Sequence, residues 1–154
     1  MKKLLYTLLA VSLVFSACEK ENNEPTTTYS IEGVWETTYA NADGTDVLAG
    51  YSTIYEFFFP DGTYGSEGYD LSGNISSISL GNYTLSNDQT TLIINATYLD
   101  DDGDGSGIAI DATIPCDVTK FNNTDLHLYI TDYAGTPISY TKRLVKTNIA
   151  LPPL

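Results

Sequence analysis

Ile31-Glu32-Gly33-Val34-Trp35 opens the first predicted strand, directly after a polar segment, and carries the only tryptophan of the chain. A large ring near the start of an antiparallel barrel can close one end of its core. Gly33, two residues earlier on the same face, leaves room for another group to come close. Arg143, the only arginine, stands in the last predicted strand. A guanidinium stacked on an indole is a favourable cation-π pair. Trp35 and Arg143 are therefore expected to form a structural closed-end pair where the first and last strands meet.

Outward from Trp35 the chain divides into eight runs separated by turn residues: 31–40, 51–59, 63–71, 76–85, 91–99, 108–119, 125–133 and 138–146. Asn41-Ala42-Asp43-Gly44, Pro60-Asp61-Gly62, Ser72-Gly73-Asn74 and Ser86-Asn87-Asp88 punctuate them with residues suited to tight turns. The seventh run alternates cleanly, with Leu126, Leu128 and Ile130 on one face and His127, Tyr129 and Thr131 on the other. Pro115 lacks an amide donor and predicts an edge or bulge in the sixth run. Tyr, Thr, Ile and Val are plentiful and helical periodicity is missing after the first twenty residues, so the fold class is all-β. Hairpin-sized gaps favour an eight-stranded antiparallel up-and-down barrel. A β-sandwich is the alternative, although sandwiches tend to need longer crossing connections.

Gly33-x-Trp35 on the first strand, Arg143 on the last, and Thr131-Asp132-Tyr133 near strand seven together resemble the lipocalin superfamily. The resemblance covers about residues 30–146 and implies a lipocalin-like barrel that holds a small hydrophobic molecule. The early Ω-like loop of larger lipocalins is short here, so a small lipocalin-like domain is the closer description.

The first seventeen residues read as an address: Lys2 and Lys3, an apolar run from Leu4 to Phe15, then Ser16-Ala17-Cys18. The run is too short for a transmembrane helix, which needs about 20 apolar residues. Small residues leading into a cysteine resemble the lipobox of bacterial lipoproteins, with Phe15 where that motif usually has Leu. The resemblance implies cleavage before Cys18 and lipidation of Cys18, which anchors the protein to a membrane through its N-terminal lipid. Residues 18–30 are polar and acidic and read as a flexible tether on the order of 20 Å long. Glu19 is not the Asp that retains some lipoproteins in the inner membrane. Glu19-Lys20-Glu21 loosely resembles a surface-export signal, so an outer-membrane location is expected, on either face. The barrel is expected over 31–147 and a loose tail over 148–154.

The formal charge is −13, and cleavage before Cys18 removes two lysines and no acids, moving it to −15. Such a surface is repelled by nucleic acid, which is excluded as a partner. Once Cys18 is lipidated, Cys116 is the remaining thiol and no internal disulfide can form. Cys116 and His127 are expected as a buried structural thiol and a strand-surface imidazole. No nucleophile-base-acid spacing, phosphate loop or paired-cysteine motif emerges, so catalysis is not expected and no organic cofactor is implied. The Asn-x-Ser/Thr triplets at Asn74, Asn82, Asn95 and Asn122 carry no weight after a bacterial lipobox.

Two stretches are candidates for ligand chemistry. Tyr51, Tyr55, Phe57 and Phe59 fall on one face of the second run, with Ile54, Glu56 and Phe58 on the other. If the first set faces inward, it lines the barrel with aromatic rings. Asp100, Asp102, Asp104 and Asp111 stand at positions 1, 3, 5 and 12 of a calcium-loop pattern, with Gly105 at position 6. Gly107 at position 8 and strand-like flanks depart from that pattern, and a solvated acidic hairpin loop is the other reading. The expected function is a lipid-anchored, non-catalytic binding barrel for a small hydrophobic or aromatic ligand. The alternative is a surface adhesion or carbohydrate-binding module with a filled core.

Overall fold

The computed structural model of the chain describes residues 27–153. The expected leader over 1–17, Cys18 and the tether as far as residue 26 lie outside the described residues. Nine strands form: β1 (Gly33–Ala42), β2 (Thr45–Asp46), β3 (Tyr51–Phe58), β4 (Thr63–Asp70), β5 (Ile75–Leu85), β6 (Thr91–Asp100), β7 (Ile108–Phe121), β8 (Asp125–Tyr133) and β9 (Thr136–Lys146). Each expected run is a strand. The structure adds only β2, which folds back on the end of β1, and a 3-10 turn over Val47–Gly50.

Neighbours in sequence are antiparallel neighbours in the sheet, and β1 also pairs with β9, from Trp35↔Lys146 to Ala42↔Tyr140. The sheet is therefore a closed eight-stranded up-and-down barrel, with β2 appended. This excludes the sandwich, because β1 takes β3 on one side and β9 on the other. Alternation does the sorting. Trp35, Phe58, Leu92, Cys116, Leu126 and Leu144 turn inward and are almost wholly buried.

Trp35 is fully buried near the start of β1, and its indole N–H donates to Ile31 O at 2.7 Å. Phe121 packs on the indole at 6.2 Å, and Tyr29 meets Phe121 edge-on at 5.7 Å. Tyr29, placed in the tether by the sequence, is thus docked on the barrel, where its backbone exchanges two hydrogen bonds with the Gln89 amide. Arg143 is not the cation of the closed end. It faces outward and stacks on Tyr39 at 4.8 Å, while Lys146 Nζ lies 5.3 Å from the indole centroid. Parity is the reason: Lys142, Leu144 and Lys146 share a face, and Arg143 belongs to the other. Gly33 makes the approach of Lys146 possible. Its φ is +128°, and a Cβ there would sit 2.9 Å from Lys146 Cε.

β7 and β8 pair over part of their length. β7 pairs with β8 from Asp117↔Tyr129 to Phe121↔Leu126, so Pro115 lies just beyond the paired stretch. Toward β6 it is paired normally, opposite Ile93. The edge expected at Pro115 is therefore local, a seam between β7 and the last residues of β8. In the tail, Thr147 N–H donates to Val34 O at 2.9 Å, and Pro152 lines an outer groove with Phe57, Phe59 and Leu80.

The closed end makes a direct prediction. In urea unfolding, Trp35→Ala is expected to cost about 3–5 kcal/mol. A double-mutant cycle of Trp35→Leu with Lys146→Met should give a coupling of about 0.5–1 kcal/mol, and the same cycle with Arg143→Met less than about 0.3 kcal/mol.

Candidate functional site

The register of β1 and β3 fixes what enters the barrel. Trp35 is fully buried and stands opposite Glu56, so Glu56 shares its inward face. β9, on the other side of β1, turns Lys142 and Leu144 inward. The result is an ion pair inside the barrel: Lys142 Nζ bonds Glu56 Oε1, and the Tyr64 hydroxyl donates to Glu56 Oε2. Ser66 Oγ adds a hydrogen bond to Oε1 at 3.3 Å. Glu56 is 1% exposed.

Burying two charges is costly, and their attraction offsets this only when further hydrogen bonds satisfy the remaining capacity. Three donors converge on Glu56, which meets that condition. Burial alone would lower the Lys142 pKa, but the carboxylate beside it overrides burial and holds the ammonium above its ordinary range. Burial, then the Glu56 charge, pushes the Tyr64 hydroxyl well above its usual value, so it remains a donor. Burial raises Tyr140 as well.

Beside this pair lies a cavity of about 140 Å³, with Phe58, Ile94, Ile114, Leu128 and Ile130 as apolar wall and Glu56, Lys142 and Ser79 as polar lining. Tyr140 and Tyr133 also line it, and Tyr133 is 40% exposed. Tyr133 stands at the end of β8, so the cavity reaches toward the surface beside Tyr133.

The aromatic face read from the second run does not line this cavity. Tyr55 and Phe57 face outward, Tyr55 edge-on to Tyr69 at 6.1 Å and Phe57 in the outer groove with Phe59. The inward set is Ile54, Glu56 and Phe58. A bulge between Tyr51 and Thr53 shifts Tyr51 off the outer face. Its ring covers Gly68, whose absent Cβ would stand 2.6 Å from Tyr51 Cε1. Since Gly68 pairs with inward Ile54, Tyr51 alone of the four turns toward the interior.

The acidic loop gathers three of its four candidate aspartates. Carboxylate oxygens of Asp100, Asp102 and Asp104 lie within 4.8 Å of one another. Asp111 is not among them and stands exposed on β7, so the twelfth position of a calcium loop is not brought in. Asp100 is buried and accepts from the amides of Gly103 and Gly105, both at 2.8 Å. Burial opposes its ionisation, but these amides outweigh burial and lower its pKa, while a hydrogen bond with Asp100 raises that of Asp102. The first role of Asp100 is to shape its own loop.

Cys116 is fully buried, and burial pushes its thiol up to about 12. His127 is on the outer face, opposite Arg143, and its pKa is lowered by burial and neighbouring cations. Sequence reasoning missed Glu56, Lys142 and Tyr64. The available signal was a lone acid between Ile54 and Phe58 and a lone base between Tyr140 and Leu144, on the two strands that flank Trp35. No protein-family model matches the chain, and no curated protein matches it.

Breaking the pair by Glu56→Ala is expected to cost about 3–5 kcal/mol in denaturant unfolding, and replacing both charges, Glu56→Leu with Lys142→Met, less. The pH dependence has a definite sign. Lys142, Tyr64 and Cys116 hold their protons more tightly folded than at their ordinary values of 10.5, 10.0 and 9.0. Their contribution is complete below those values and is lost as pH rises through the folded ones. Thermal melts should show stability falling above pH 9, the lowest of those values, and less steeply in the double variant.

Proposed function

We propose that this chain is a lipid-anchored, lipocalin-like barrel that binds one small hydrophobic or aromatic molecule inside and performs no catalysis. The observation that carries this reading is the cavity of about 140 Å³ in an otherwise packed barrel. An apolar cavity of about 150 Å³ is enough to take up benzene. Here the walls are mainly apolar and aromatic, and one side carries fixed polar groups that can orient a guest, the usual composition of a small-molecule site.

The charged groups suit binding better than chemistry. Both Glu56 oxygens are engaged, and Lys142 is held as an ammonium, so it is neither base nor nucleophile. The cysteine-terminated leader supports lipidation at Cys18, and Glu19 after it supports the outer membrane. The docked Tyr29 supports a chain that leaves the barrel at its plugged end, with the cavity facing away from the anchor. A second reading draws on the outer face. Tyr39 under Arg143, and Tyr55 against Tyr69, present aromatic surfaces of the kind that stack on sugars in an adhesion or carbohydrate-binding module.

Benzene and indole added to the mature protein in thermal-shift and native mass-spectrometry measurements should give a raised melting temperature and a one-to-one complex with the cavity-sized probe. Ile114→Phe, which fills the cavity, should abolish both effects. Absence of any shift with these probes, together with retention of sugars on a glycan array, overturns the first reading in favour of the second.

A further inference from the structure

We propose that the interior site selects uncharged, single-ring molecules that carry a hydrogen-bond acceptor, and that the Lys142 ammonium is the group that receives this acceptor. This rests on the binding reading above and specifies its ligand class.

The selectivity comes from unfilled donors on Lys142. A lysine ammonium has three N–H donors and no acceptor. Among the described residues Lys142 Nζ makes one hydrogen bond, to Glu56, and its side chain is 14% exposed. Lys142 lines the cavity, so the remaining donors are available to a guest there. Glu56 differs: Lys142, Tyr64 and Ser66 already donate to it, which leaves it little to offer a ligand donor. The polar side of the cavity is therefore mainly a donor.

Charge then narrows the ligand. Lys142 and Glu56 neutralise one another, so an anion reaching the ammonium also meets the carboxylate, and desolvating it brings no net attraction. A cation meets the ammonium. A neutral carbonyl, ether or ring nitrogen takes the hydrogen bond without either cost. Size sets the remainder: about 140 Å³ admits one ring, and Tyr133 and Tyr140 are positioned to flank it on the cavity lining.

Isosteric probes test this in the full mature protein. Pyridine and benzene differ by one acceptor, and at mildly alkaline pH pyridine is neutral. Benzamide and benzoate differ by a charge. Calorimetric or NMR titration should give pyridine about tenfold tighter than benzene, equivalent to about 1.4 kcal/mol, and benzamide tighter than benzoate. With ¹⁵N-labelled lysine, pyridine should shift the Lys142 ammonium resonance and benzene should not. In Glu56→Leu with Lys142→Met the pyridine-to-benzene ratio should fall to about one.

Equal affinity for pyridine and benzene, an unmoved Lys142 signal in the pyridine complex, or benzoate binding tighter than benzamide each overturns the proposal while the cavity still binds. Failure of all four probes overturns the binding reading itself, and this proposal with it.

Discussion

An eight-stranded barrel encloses a space that side chains can just fill, and here a salt bridge sits in that space. Glu56 reaches in from β3 and Lys142 from β9, the two neighbours of β1, so their bond ties the closing strand to the second long one across the Trp35 strand. Neither charge tolerates the apolar interior alone. Tyr64 and Ser66 must therefore face the same point from β4, and the region around the pair is not packed as tightly as the layer beneath it. Below are Trp35, Phe58, Leu92, Leu126 and Leu144, all nearly inaccessible to solvent. The cavity lies where apolar packing gives way to this polar group.

Two architectural features follow from single residues. Gly33, at positive φ and without a Cβ, lets the stem of Lys146 come close to the indole and seals the closed end. Pro115, without an amide hydrogen, stands just past the last β7–β8 pair, where that ladder stops. The same closed sheet is thus sealed where first and last strands meet over a ring, and its β7–β8 ladder is interrupted where a donor is missing.

The strands and their closure were legible because turn residues and two-residue periodicity are local signals. The site was harder to read because β3 carries large apolar residues on both faces. Tyr55 and Phe57 look as core-like as Ile54 and Phe58, and Glu56 reads naturally as a solvent residue. Only the register with Trp35 shows which set is inside, and register is a relation between strands. The same relation separates Arg143 from Lys146. Counting by two from buried Leu144 reaches Lys142 and Lys146 and passes over Arg143, so a guanidinium chosen for its rarity was on the wrong face. Tyr51 escapes even this rule, because a bulge resets the alternation between it and Thr53.

The two ends of the barrel are also chemically unequal. At the plugged end Tyr29, Phe121 and Trp35 stack in succession, which fixes where the N-terminal segment joins the domain. At the other end lie the acidic loop after β6 and the half-exposed Tyr133. On the proposal that Cys18 bears the lipid, this polarity sets the orientation: the plug faces the anchor and the cavity faces away. A guest, on the binding proposal, would approach from the aqueous side, past carboxylates that discourage anions, to an ammonium whose charge is already balanced. The long-range field of the acidic chain disfavours anions and the Lys142 ammonium disfavours cations, and an uncharged molecule meets neither cost.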